Sequence, residues 1–261
     1  MLFTRARALV VAAVMVAASI GAHATVDAQA VLTASDAVRN PAQPFRVTVT
    51  LTEYEKGQQV DTSTLVSYSR TLEGSGGQYV SLVRFVLPAR DTGKLLLKNG
   101  NDLWFYDPGT KASVRISPQQ RLMGEASNGD VVTVNFARDY KATLAADETI
   151  TDGERKTRRA HKLALEASTD DATYASIELW VDTENKWPIK ARFLADSGRL
   201  LKTAYYRRFQ SQLGMERPTE TVIIDGINPQ AVTIVRLSDF AARNIPSAWF
   251  QRDYLPRFQG E

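Results

Sequence analysis

From position 45 to 52 the chain alternates without a break. Phe45, Val47, Val49 and Leu51 take one side, and Arg46, Thr48, Thr50 and Thr52 the other. Successive side chains of a strand point to opposite faces, so this period of two predicts a half-buried strand. The same signature returns over residues 65–71, 78–87, 94–98, 102–107 and 112–117. It resumes over 142–150, 159–166, 174–181, 189–195, 201–209, 220–224 and 231–237. Ala175, Ile177, Leu179 and Val181 share one face, and Ile189, Ala191, Phe193 and Ala195 do the same. Asn99-Gly100 and Gly74-Ser75-Gly76-Gly77 mark hairpin tips. About a dozen strands in sequence, mostly joined by hairpins, predict one antiparallel sheet that must curl. No linker, repeat or low-complexity tract divides the chain, so residues 25–261 read as a single domain.

A few segments depart from this period. Residues 26–39 place Ala30, Val31, Ala34, Ala37 and Val38 at helical spacing before Pro41. Residues 118–124 predict a short helix, 128–140 have no clear period, and 245–258 predict a short aromatic helix. The fold class expected is mainly β with short helices.

The start of the chain has a different character. Arg5 and Arg7 precede an uncharged apolar run over 9–20, and Ala22-His23-Ala24 follows. This is the layout of a signal peptide over 1–24, cleaved after Ala24 so that the mature chain starts at Thr25. The run falls short of the roughly 20 apolar residues of a bilayer crossing, which weighs against a membrane anchor. No cysteine follows, so no lipid can be attached there. The expected location is the periplasm.

Composition excludes several chemistries. Of 32 basic residues, cleavage removes Arg5 and Arg7, leaving 30 against 29 acidic ones, and nothing asks for a nucleic-acid partner. There is no cysteine, and His161 is the only histidine after residue 24. Thiol catalysis and multi-histidine metal sites are therefore impossible. No catalytic residue, metal ligand or cofactor site is assigned. The acidic runs at 146–154 and 169–171 read as turns rather than calcium sites.

Further pieces carry a resemblance through their order. They are Ala34-Ser35-Asp36-Ala37-Val38-Arg39-Asn40-Pro41, Leu103-Trp104-Phe105-Tyr106-Asp107-Pro108, Arg115-Ile116-Ser117, Gly124, Gly129-Asp130 and Phe136-Ala137-Arg138-Asp139-Tyr140. Asp182, Trp187-Pro188-Ile189-Lys190 and Gly198-Arg199-Leu200-Leu201-Lys202 continue it. Over residues 26–237 the chain resembles the LolA-like outer-membrane lipoprotein-sorting proteins, in the branch often encoded beside RND-type exporters. The resemblance implies an unclosed, strongly bent antiparallel β-barrel whose helices plug the concave side over an apolar cavity for acyl chains. It implies a non-enzymatic carrier of acylated lipoprotein or lipid between inner and outer membrane, with an inner-membrane exporter as candidate partner and the monomer as its form. A lipid sensor of the same fold is the alternative, and a lipid hydrolase the weaker one.

On that reading Val47, Val49, Leu51, Leu103, Phe105, Ile177, Leu179, Ile189, Ala191 and Phe193 are candidates to line the cavity. Val132, Val134, Phe136, Arg138 and Asp139 are candidates for a lid. Leu103 and Phe105 alternate with Trp104 and Tyr106, so that strand is apolar on both faces and should be covered on both. His161 shares a face with Leu163 and Leu165, and could titrate in the cavity or simply be hydrogen-bonded. Arg155, Lys156, Arg158 and Arg159 could meet anionic headgroups or form a solvated hairpin.

Overall fold

The computed structural model describes residues 26–100, 102–169 and 172–260. The leader over 1–24, and Asp170 and Asp171 of the second acidic run, lie outside them.

Helix α1 (Ala28–Arg39) begins at Asp27, whose carboxylate accepts the Ala30 N–H at 3.0 Å. Its buried side is rotated from the expected one. Ala30 and Ala37 face outward, while Val31, Leu32, Val38 and also Ser35 and Asp36 are buried. An apolar count misses this because Asp36 turns inward for polar partners described below.

The strands that follow are β1 (Phe45–Glu55), β2 (Gln58–Thr71), β3 (Tyr79–Leu87), β4 (Leu95–Asn99), β5 (Asp102–Asp107) and β6 (Ala112–Arg115). After the central segment come β9 (Tyr140–Thr151), β10 (Thr157–Ala167), β11 (Ser176–Asp182), β12 (Pro188–Leu194), β13 (Leu200–Gln212), β14 (Met215–Asp225) and β15 (Ala231–Ala242). Among the described residues, thirteen strands form one antiparallel sheet in the order β6-β5-β4-β3-β2-β1-β15-β14-β13-β12-β11-β10-β9. Every neighbour is a sequence neighbour except one pair, in which the first strand meets the last. The sheet does not close: β6 and β9 remain its two edges.

The central segment corrects the sequence reading. The helix expected over 118–124 is absent. A turn closed by the Gln120 N–H on the Ser117 carbonyl leads into a small hairpin of β7 (Arg121–Met123) and β8 (Ala126–Ser127). Gly124 turns that hairpin at φ +52°, and a Cβ there would lie 2.3 Å from Thr233 Oγ1. Residues 128–130 form one 3-10 turn, the backbone bends at 131–132, 133–135 have no regular structure, and the single-turn helix α2 (Phe136–Asp139) follows.

The bent sheet buries both of its faces. The concave face carries the main core, including Leu51, Leu65, Val83, Leu96, Leu163, Ile177 and Leu179. On the convex face of β2–β5, Tyr68, Leu82, Leu97 and Tyr106 pack under the C-terminal segment through Ile245, Phe250 and Leu255. Trp249 and Phe258 meet the Tyr68 ring edge-on at 5.2 and 6.0 Å. Leu103 and Phe105 belong to the inner core, Trp104 and Tyr106 to the outer one, which accounts for the doubly apolar strand.

Candidate functional site: a roofed apolar cavity

The concave face is filled at its ends but not in the middle. There β1, β12, β13, β14 and β15 enclose a cavity of about 160 Å³. Its floor is Val47, Val49, Phe193, Ala204, Ile223 and Val235, and its roof is Val131, Val132, Val134 and Phe136. The volume is close to that of apolar protein cavities of roughly 150 Å³ that stay dry and admit benzene. It lies below the roughly 300–1,000 Å³ of sites that enclose drug-sized ligands. In this form the cavity fits a short apolar segment, and a longer chain requires the roof to move.

The roof is a strap, residues 128–139, and polar groups hold it far more than a strand ladder does. At its start, Asp130 meets the ammonium of the buried Lys202 and accepts from Tyr174 Oη at 2.9 Å. Burial, then the Asp130 charge, push the Tyr174 phenol well up. In the middle, Thr133 Oγ1 bonds the Ser69 hydroxyl at 2.8 Å, and its N–H donates to Ser81 Oγ at 3.2 Å. Toward the end, α1 staples the strap. Arg39 donates to Asp36 at 2.5 Å and to the Val134 carbonyl at 3.1 Å. The Ala137 N–H donates to the other Asp36 oxygen at 2.7 Å, and Asn40 Nδ2 reaches the Val134 carbonyl at 2.8 Å. Gln29 bonds the Ala137 carbonyl at 2.7 Å and takes the Ala142 N–H at 2.9 Å. The Arg39 guanidinium also lies 3.8 Å from the centroid of the Phe136 ring.

Asp36 and Arg39 are both out of water. Burial raises the Asp36 pKa, against the lowering effects of Arg39 and the Ala137 amide. For Arg39 burial acts downward, but Asp36 and then Tyr206 outweigh it and the net shift is upward. The two side chains meet at 2.5 Å, and loss of one would leave its buried partner stranded.

Of the residues expected to line the cavity, Val47, Val49 and Phe193 do so. Leu51, Leu103, Phe105, Ile177, Leu179 and Ala191 sit in the same concave core but pack away from the void. Ile189 is on the other face, with Trp180 and Ala160. Trp180 pairs with Lys190 and Val181 with Pro188, so Ile189 is the extra residue of a bulge and the alternation slips there. Of the expected lid, Val132, Val134 and Phe136 face the cavity, whereas Arg138 is exposed and Asp139 accepts from Gln78 at 3.1 Å outside it. His161 does not border the cavity; its Nδ1 lies 2.6 Å from Asp147 Oδ1. The basic hairpin is partly neutralised, with Arg158 3.0 Å from Asp152 and Lys156 3.3 Å from Glu154. Asp36, Arg39, Ala204, Tyr206 and Lys202 were missed. The available signal was an acid and a base three apart on a helix, which only tertiary packing turns inward.

Fold and site define a class: an unclosed antiparallel sheet whose concave side carries a strapped apolar cavity. A family model described as "Uncharacterized protein" matches residues 77–257. A crystal structure of a LolA superfamily protein from Nitrosomonas europaea aligns at 33% identity and a TM-score of 0.78, covering 88% of this chain and 99% of that one. A DUF1329 family protein from Desulfovibrio piger aligns at 20% identity and TM-score 0.73, covering 87% and 97%. An outer membrane lipoprotein-sorting protein domain from Vibrio parahaemolyticus aligns at 20% identity and TM-score 0.73, covering 88% and 98%. The comparison with curated proteins found no match. The chain belongs to the LolA superfamily.

Proposed function

We propose that this protein is a non-enzymatic periplasmic carrier that shelters an acyl chain of a lipid or lipoprotein between inner and outer membrane. The observation that carries this reading is the cavity itself: an unfilled apolar space in an otherwise packed core, under a roof held by a few side-chain hydrogen bonds. Natural cores close such voids because empty space forfeits contacts. A site that must bind and release apolar chains has reason to keep one. Likeness to a lipoprotein-sorting domain and the signal-like leader point the same way. No helix among the described residues is long and apolar enough to cross a membrane.

The test is to extract the protein, purified from the periplasm without detergent, and identify acyl lipids by mass spectrometry. A fluorescent fatty acyl probe should bind at about one per chain and be displaced by the extracted lipid. Absence of co-purified lipid together with no probe binding would refute the carrier reading.

A further inference from the structure

Outside the strap runs a second, open groove of about 570 Å³. Its walls are α1 at Thr33, Asp36 and Ala37, the hairpin tip Gly76-Gly77, the strap at Asn135 and Arg138, and the start of β14 at Met215 and Arg217. Asn40 borders both this groove and the cavity, so the two lie on either side of the seam between α1 and the strap.

Two guanidinium groups stand out here. Arg217 is 3% exposed. Its Nε donates to the Gln212 carbonyl at 3.2 Å, and its Nη1 to the carbonyls of Ala37 and Val38 at 2.8 Å each. These carbonyls end α1 and lend partial negative charge, but no carboxylate pairs with Arg217 among the described residues. Its Nη2 forms no hydrogen bond and is not sealed in the interior, and the residue borders the groove. Buried charges are ordinarily paired, and this one has only backbone carbonyls for partners. Arg138 is exposed and lies over Gly76, where a Cβ would come within 2.8 Å of its Nη1. It too forms no ion pair among the described residues. The one carboxylate in the walls, Asp36, is fully used by Arg39 and the Ala137 amide. The groove thus presents the open fork of Arg138 and the one uncommitted nitrogen of Arg217, donors suited to hold an oxyanion.

We infer that this groove seats the oxyanion headgroup, phosphate or carboxylate, of the same amphiphile whose acyl chain enters the cavity. The inference rests on the carrier reading and narrows it: the ligand is a negatively charged amphiphile, with its head on Arg217 and Arg138 outside the seam and its tail inside. Asn40 marks the crossing point. Arg217, pinned to the end of α1, would also register headgroup arrival at the helix that staples the strap.

The experiment compares probes sharing one palmitoyl chain: lysophosphatidic acid, palmitic acid and neutral monopalmitin, with glycerol 3-phosphate as a head without a tail. Affinity is read by displacement of a fluorescent acyl probe, and for glycerol 3-phosphate by calorimetry. Both anionic lipids should bind at least about tenfold more tightly than monopalmitin, and 0.5 M salt should narrow the gap. The tighter of the two identifies phosphate or carboxylate as the source. Arg138→Gln should cut the preference to about threefold or less, with its melting temperature confirming the fold. Arg217→Lys, which keeps the charge but loses the planar group that bonds three carbonyls and leaves Nη2 for the groove, should lower it in part. Equal binding of all three lipids overturns the headgroup site and leaves the carrier reading standing. A preference untouched by both substitutions also overturns it. Glycerol 3-phosphate binding as tightly as lysophosphatidic acid would sever the site from the cavity. No binding of any acylated probe would bring down both readings.

Discussion

Ala191 and Ala204 face each other across β12 and β13, yet only Ala204 borders the void. Adding bulk should therefore have opposite consequences at neighbouring positions. Ala204→Phe places a ring into free space, and its stability should stay within about 1 kcal/mol of the wild type while acyl-probe affinity falls about tenfold or more. Ala191→Trp overpacks a filled site and should cost about 1–3 kcal/mol or more in urea unfolding. Equal destabilisation by both would mean that the cavity is not open space in solution. A second residue-scale expectation concerns Glu125, at the tip of the β7–β8 hairpin. Burial, and then the shared hydrogen bond with Asp225, raise its pKa to about 7. A carboxyl whose folded pKa lies above its unfolded one contributes stability that is present at low pH and lost as pH rises through the folded value. For Glu125 that loss runs from about pH 4.5 to about 7. Asp225 shifts the other way: burial alone would raise it, but the Asn228 and Ile227 amides hold it down. Its share of stability disappears only as pH falls through its lowered value. Wild-type melting temperature should drop by a few degrees between pH 5 and 7.5, and Glu125→Gln should flatten that slope. An unchanged slope in the variant would dismiss Glu125 as its source.

Among the elements, the strap and α1 are the pieces whose fastening is polar and local. Asp36→Ala would strand the buried Arg39 guanidinium and remove the anchor of the Ala137 amide. It should cost about 3–5 kcal/mol, the range for breaking one half of a buried pair. The strap should also open before the sheet does. Amides of 131–139 should exchange with solvent faster than those of β11, and a bound acyl probe should slow them, since a ligand of the closed form draws the population toward it. Strap amides as protected as those of β11, with or without ligand, would contradict a moving roof. What was legible in the sequence divides along the same line. Wherever period two held, as in β1, β5 and β11, both the strand and its inward face could be read directly. At Ile189 a bulge shifts the period by one, and no local pattern announces it. Over 118–140 neither period applies, because tertiary hydrogen bonds to α1, Ser69 and Lys202 fix the backbone there. The cavity was illegible for a simpler reason: a void has no residue of its own.

For the molecule as a whole, the two halves of the sheet are protected differently. The outer face of β2–β5 depends on the C-terminal segment, whose Ile245, Phe250 and Leu255 cover Tyr68, Leu82 and Leu97. A chain ending at Arg243 should expose that apolar face, bind a hydrophobic dye and self-associate in sedimentation analysis. If it stays monomeric without dye binding, the segment is dispensable cover. The pairing of β1 with β15 has a further consequence, in time rather than in space. A chain emerging N-terminus first has β1 available almost at once, but the partner of β1 on its β15 side lies some 180 residues later, from Ala231 onward. Contacts so distant in sequence form late and slowly. Neither the central seam of the sheet nor the cover over β2–β5 can be laid down until nearly the whole chain is free. Until then the chain can form only the local hairpins on either side of that seam, two half-sheets joined by nothing but the covalent backbone.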